Sequence, residues 1–284
     1  MENTHNYLCY HYCSVDTFTK IIGNSTIRLS NPYKMNDTQE YKWLLNLLPE
    51  IIEEYTSKIE DVEEKQKYID FYVNTCKEIF EDYYQEEEPP YIACFSKKGD
   101  ILSQWRSYAD NSRGVSIGFS LEVLAHHQSL EFINVNYDIQ EQKNLLLDAL
   151  KKTGLENPES LDFHRMKHMF TAATNVLDNI LDKSIYSKNP AFKEEKEVRL
   201  IYTPNTYALP NSQLMISDIQ FRNDNEKLIS YYELDFSKIK TNVIKEIYIG
   251  SNSKLNDNDL KLFLKKHGYS LKELEIFPSS STYR

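Results

Sequence analysis

The chain has 284 residues, 40% hydrophobic and 27% charged, which suits a folded core of ordinary size and excludes wholesale disorder. Its formal net charge of -10 and sequence pI near 5.3 disfavour tight non-specific binding to a phosphate backbone. No window approaches the roughly 18 uninterrupted apolar residues of a membrane span, which leaves no membrane partner to expect.

The first segment, Tyr7-Leu8-Cys9-Tyr10-His11-Tyr12, has the aromatic bias of a short strand. Ser14 then predicts the N-cap of a helix carrying Phe18, Ile21 and Ile22 and closed by Gly23. Residues 26–30 read as a second strand, stopped by Asn31-Pro32. Helical periodicity runs over 41–84, first through Leu44, Leu48, Ile51 and Tyr55, then through Tyr68, Tyr72, Cys76 and Phe80. After the break Glu86-Glu87-Glu88-Pro89-Pro90 come a strand at 91–96, the turn Lys98-Gly99-Asp100, and a short helix with Leu102, Trp105 and Tyr108. A turn at 110–114 leads into a strand at 114–119, a helix at 121–127 and a strand near 132–137. Residues 140–186 are helical with a break at Gly154 and Asn157-Pro158. Strand alternation returns at 197–202 and 244–250, and a helix at 256–267 leads to a last strand near 274–277. The expected architecture is α+β in a single domain, 1–284, with mainly helical insertions near 41–86 and 140–188.

The four cysteines Cys9, Cys13, Cys76 and Cys94 form no C-x-x-C pair, and Met1-Glu2-Asn3-Thr4-His5-Asn6 lacks the pattern of a secretory leader. Free thiols in the cytoplasm are the simplest account.

Several side chains fit neither core filler nor plain surface. Alternation puts Tyr10 and Tyr12 on one face of the first strand and His11 on the other. The segment 29–37, with Ser30, Asn31 and Asn36, is dense in polar side chains that suit a polar small molecule, although most such segments are ordinary loops. In Gln104-Trp105-Arg106, a stacking surface stands beside a bidentate donor, a pairing suited to nucleotides and phosphates. The plainer reading puts Trp105 in the core and Arg106 in an ion pair. Glu195, Glu197 and Arg199 share one face by alternation, and the last two lie inside a strand where charges must be paired or functional. His164 and His168 have i, i+4 spacing without a third ligand, and His126-His127 reads as surface, so no metal is expected. P-loop, G-x-G-x-x-G and G-x-S-x-G patterns are missing.

The run Tyr10-His11-Tyr12-x-Ser14, Leu29-Ser30-Asn31-Pro32 with Asn36-Asp37, and Cys94-Phe95-Ser96 resembles a widespread bacterial family of unknown function. So do Ser103-Gln104-Trp105-Arg106-Ser107-Tyr108-Ala109 and Phe192-x-x-Glu195-x-Glu197-x-Arg199. More distantly, a first strand with His, a following helix and Ile27-Arg28-Leu29 are similar to the start of the ADP-ribosyltransferase fold, as in DarT-type toxins. That resemblance implies a mixed or antiparallel sheet core with helical insertions, and NAD as substrate. It implies His11, Tyr108 and Glu197 as catalytic residues. Tyr12, Ser30, Asn31, Asn36, Gln104, Trp105, Arg106, Arg113 and Arg199 would then hold the nucleotide. A protein or nucleic-acid acceptor, and a role as toxin or phage-defence effector, come with the same analogy. An NAD glycohydrolase using the same site and a non-catalytic nucleotide-sensing module are the alternatives.

Overall fold

The computed structural model describes residues 8–34, 39–57, 59–82, 89–124, 130–152, 163–204, 215–224 and 227–281. Asn36, the pair His126-His127 and the Gly154 break fall outside them, as do the side chains of His164 and His168.

In chain order the first elements are β1 (Leu8–Cys13), α1 (Val15–Asn24) and β2 (Thr26–Ser30). Two helices follow, α2 (Gln39–Tyr55) and α3 (Val62–Asp82), then β3 (Tyr91–Ser96), α4 (Leu102–Tyr108), β4 (Val115–Ser120), the short α5 (Leu121–Leu124) and β5 (Leu130–Asn134). Next come α6 (Ile139–Lys152), α7 (Phe163–Ser184) and β6 (Glu197–Tyr202). The chain continues with β7 (Met215–Ile216), β8 (Gln220–Asp224), β9 (Lys227–Asp235), α8 (Lys240–Val243), β10 (Ile244–Ile249), α9 (Asp257–Lys266) and β11 (Glu275–Pro278). The protein is mixed α+β with an open, mixed sheet. It divides into two compact units, one of residues 1–34, 89–134 and 194–284, the other of residues 35–88 and 135–193.

Local signals explain the element ends. The Ser14 side chain accepts from Thr17 N at 3.2 Å and caps α1 as expected. The other end differs from expectation: the helix runs past Gly23, and Ser25 with φ 56° makes the left-handed turn. Asn256 caps α9 by accepting from Asn258 N and Asp259 N, with Asp257 and Asp259 in the first turn and Lys265 and Lys266 in the last, matching the helix dipole.

The first unit holds the sheet, ordered β11-β10-β4-β1-β3-β2-β9-β7 with β6 on β3, β5 on β6 and β8 on β9. Among the described residues only β10 and β11 pair in parallel within it. The sheet forks at β3. One end of β3 meets β1 through Tyr10 and Ser96, the other meets β2 through Ser30 and Ile92, and its whole length pairs with β6. Strands β7 to β9 have no counterpart among the elements expected from sequence. β7 is only two residues long and β8 is polar, while β9, rich in Leu, Ile and Tyr, gains its place by pairing with β2 over Thr26–Ser30.

One face of the sheet carries the main core, where Cys9, Cys13, Phe95, Ile117, Phe119, Val198 and Leu200 pack with Phe18, Ile21 and Ile22 of α1 and Leu260 and Leu264 of α9. Each such large apolar side chain contributes about 1.5–3 kcal/mol when fully buried. A smaller apolar group of Tyr12, Trp105 and Ala109 forms under α4, with Tyr10 and Tyr248 packed against it.

The turn from α4 to β4 is tightly specified. Asp110, Asn111 and Ser112 all have positive φ, and Ser112 N donates to the Trp105 carbonyl at 3.0 Å. A Cβ on Gly114 would lie 2.0 Å from the Cys13 carbonyl oxygen. Gly114→Ala is therefore expected to lower stability by about 2 kcal/mol or more, since only backbone movement can relieve the clash. A melting temperature within a degree of wild type would contradict this.

In the second unit α2 packs on α3, α6 and α7. Gln142, fully buried, accepts from Trp43 Nε1 at 2.8 Å and donates to the carbonyls of Asn136 and Lys188 at 2.7 and 2.9 Å. All the bonds this amide needs in a dry setting are thus made inside the unit.

Candidate active site

Strand register brings two of the singled-out segments onto one face. Tyr10 pairs with Ser96, and Ser96 with Glu197, so these three side chains form a row across β1, β3 and β6. One step along, Cys94 pairs with Arg199, and Tyr12 projects to the same side by alternation. The result is a polar face opposite the main core.

Glu197 and Arg199 are 6% and 1% exposed, and Arg199 Nε donates to Glu197 Oε1 at 2.7 Å. Burial at this level demands pairing, because a lone charge there would bear the full desolvation penalty. Glu195 is equally buried but reaches the site differently from expectation. It ends a 3-10 turn (Pro190–Glu195), and Lys196 has φ 48°, so strand alternation starts only at Glu197. The Glu195 carbonyl accepts from Ser96 Oγ at 2.7 Å, which ties the turn to the end of β3. The Tyr108 hydroxyl, on the half-exposed last residue of α4, donates to Glu195 Oε1 at 3.4 Å.

His11 is not in this group. It lies opposite Ile117 in the β1–β4 register, with its ring 5.9 Å from that of Phe95, on the core side of the sheet. His11 and Glu197 thus face opposite ways, and the structure does not bring them onto one ligand. The Nδ1 of His11 stands 3.0 Å from the Cys94 carbonyl oxygen. A carbonyl only accepts, so Nδ1 carries the proton and Nε2 the lone pair. Burial pushes the imidazole below its usual pKa, and the Cys94 bond offsets this only in part. His11 is therefore a neutral brace across the point where β1 and β3 part.

Tyr12 is committed to the fold as well. Its hydroxyl donates to the Lys98 carbonyl and accepts from Ile101 N, both at 2.8 Å, fixing the turn before α4. Burial raises its pKa well above the usual phenol range. Trp105 is fully buried edge-on to Tyr12, ring centroids 5.0 Å apart, with Nε1 donating to Asp100 Oδ1 at 2.6 Å. Of its two sequence readings, the core reading describes this geometry. Gln104 beside it is 7% exposed.

The remaining candidates are spread out. Arg106 is exposed on α4, and Arg113 pairs with Asp110 at 2.8 Å in the following turn. Ser30 sits between Ile92 and Tyr231 in the sheet. Asn31 accepts from Tyr33 N at 2.9 Å and donates to Ser230 Oγ at 3.3 Å, a turn-forming role.

Three participants are not among the residues expected from sequence. Tyr10 donates to Glu246 Oε2 at 2.7 Å, and a carboxylate inside the alternating strand at 244–250 was the available signal. Asp100 read only as a turn residue, yet it gathers Trp105, Ser279 and Ser280. Ser96 stood only in the family-like run Cys94-Phe95-Ser96, and its partners, about 100 residues away in sequence, could not be read from it. Burial pushes the Cys9 thiol up to about 12 and Cys13 higher still, which makes both poor nucleophiles.

The model of a family described as a protein of unknown function, DUF2971, matches residues 104–200. It fits an uncharacterised bacterial family and takes in both Gln104-Trp105-Arg106 and Glu197-Val198-Arg199, but not His11. No curated protein and no solved structure matches the chain. Among the described residues, no helix is long and apolar enough to cross a membrane.

Proposed function

We propose that the chain is an NAD-consuming enzyme of the ADP-ribosyltransferase-like kind, with Glu195 of the Glu195-x-Glu197 pair facing the reacting ribose. The observation that carries this reading is the division of labour between two buried carboxylates. Glu197 is locked to Arg199, while Glu195 meets the hydroxyl of a half-exposed tyrosine at the end of α4. Breaking the nicotinamide–ribose bond sends the electron pair to nicotinamide and leaves positive charge on the ribose ring. A carboxylate that accepts a ribose hydroxyl stabilises that charge, in a setting too dry for water to screen it. Tyr108 orients the carboxylate, and the Glu197–Arg199 pair holds the strand start in place. The forked sheet, with a second unit of helices, is compatible with the expected core. His11 has no part in the bond-breaking step, and its brace at the fork supports β1.

The test incubates the full chain with adenylate-labelled NAD and cell extract, following nicotinamide release and label transfer. Glu195→Gln is expected to lower release about 100-fold or more, at a temperature where circular dichroism shows both chains folded. Label on a protein or nucleic acid identifies transfer, as expected of a toxin or phage-defence effector, and free ADP-ribose alone identifies NAD hydrolysis. Full turnover by Glu195→Gln would remove Glu195 from the mechanism. NAD binding to the wild-type chain without any turnover would favour a sensing module instead.

A further inference from the structure

Lys196 is the one long side chain among the described non-glycine residues with positive φ, the others being Ser25, Asp110, Asn111 and Ser112. Short polar residues tolerate the left-handed region because their side chains bond locally, and a lysine does not. The Lys196 side chain is exposed, so the cause of its φ of 48° lies in how the backbone is held.

The hold comes from the end of β3. The ladder between β3 and β6 runs one bond past the paired residues, from Lys97 N to the Lys196 carbonyl at 3.0 Å. At the next carbonyl, that of Glu195, a side chain takes over: Oγ of the buried Ser96 donates to it at 2.7 Å. The same Oγ accepts from Lys98 N at 3.3 Å, which aims the hydroxyl proton at Glu195. With both carbonyls fixed, residue 196 is left as a left-handed link. Strain of this kind persists only where the surroundings over-determine it, and it recurs at functional sites.

Its effect falls on the carboxylate. An extended residue 196 would carry strand alternation back to Glu195 and set it on the Glu197 face, about 6–7 Å along the strand. Two buried carboxylates that close oppose one another. The left-handed link instead closes the 3-10 turn and leaves Glu195 with the Tyr108 hydroxyl at 3.4 Å.

We infer that Ser96 is a positioning residue of the site: through the Glu195 carbonyl it holds Lys196 in the left-handed region, and so turns the Glu195 carboxylate toward the reacting ribose. The catalytic part of this rests on the NAD reading above.

The experiment combines steady-state nicotinamide release with crystal structures of the full chain and four variants: Ser96→Ala, Lys196→Val, Lys196→Gly, and Ser96→Ala with Lys196→Gly. Ser96→Ala is expected to lower kcat about tenfold and to leave KM within about twofold, since a misplaced carboxylate affects bond breaking and not uniform binding. Lys196→Val, at an exposed position, should do the same, because a β-branched residue resists the left-handed region. Lys196→Gly alone should keep the wild-type kcat. In the double variant it should restore most of the loss, because glycine takes positive φ without the hold. A merely structural serine would show no such rescue. In the crystal structures, residue 196 should leave positive φ in Ser96→Ala and keep it in the double variant. A positive φ at Lys196 in Ser96→Ala, or a kcat that glycine does not restore, overturns the assignment. If the wild-type chain releases no nicotinamide, the NAD reading fails, and the φ of residue 196 in Ser96→Ala then decides by itself whether Ser96 sets the turn.

Discussion

Arg199→Met is expected to destabilise the protein by about 3–5 kcal/mol, the cost of removing one partner from a buried ion pair. The substitution keeps the length of the side chain and removes its charge. Glu197, 6% exposed, would then hold a carboxylate in the sheet without the partner now 2.7 Å away. Such a group must either bear the desolvation cost or take up a proton, and both outcomes weaken the folded state. The reverse single change, Glu197→Gln, takes from the guanidinium its carboxylate at 2.7 Å and should also be costly. The double variant Glu197→Gln with Arg199→Met removes both charges at once. Well-packed neutral replacements of a buried pair are often close to neutral, so the double variant should recover more than half of the loss. Urea denaturation of the four chains gives the interaction energy directly. Strictly additive losses would show that the two residues act independently, contrary to the ion pair.

The second large effect concerns acid. Asp100 Oδ1 accepts from Trp105 Nε1 and Ser279 Oγ, and Oδ2 accepts from Ser280 N and Ser280 Oγ, at 2.6 to 2.7 Å. Burial alone would push this carboxyl up. The bonds from Ser279, Ser280 and Trp105 outweigh it and hold the group below the usual carboxylate range. A depressed folded-state pKa means that the stabilisation is present above the unfolded value of about 3.9 and is lost as pH falls through the lower folded value. Asp100→Asn keeps one oxygen for Trp105 but sets an NH2 group against the Ser280 donors. It should cost about 2–3 kcal/mol at pH 7, the worth of charge-assisted bonds around a buried donor. The gap in melting temperature between wild type and Asp100→Asn should then narrow below about pH 4. A gap that stays constant from pH 7 to pH 3 would contradict the linkage. Because Trp105 packs against Tyr12, the loss should also loosen α4, which carries both Gln104 and Tyr108.

The Arg199 and Asp100 clusters rest on relations of very different legibility. Sequence alone determined whatever depends on neighbours within a few residues. The Ser14 cap, the split of Tyr10 and Tyr12 from His11, and the shared face of Glu197 and Arg199 all follow from the periods of helix and strand. The strands with apolar alternation were equally readable, as were the long helices of the second unit. The weakly patterned β7 to β9 were not, because their place depends on pairing with β2 rather than on their own composition.

Tertiary structure decided everything set by register between distant strands. A one-residue change in pairing reverses the face of every side chain, so no local pattern could tell whether His11 and Glu197 look the same way. The bridge Tyr10–Ser96–Glu197 settles that they do not. The left-handed Lys196 likewise set Glu195 outside the alternation that a sequence pattern assumes. The same long-range placement set Tyr12 and Trp105 in the support of α4.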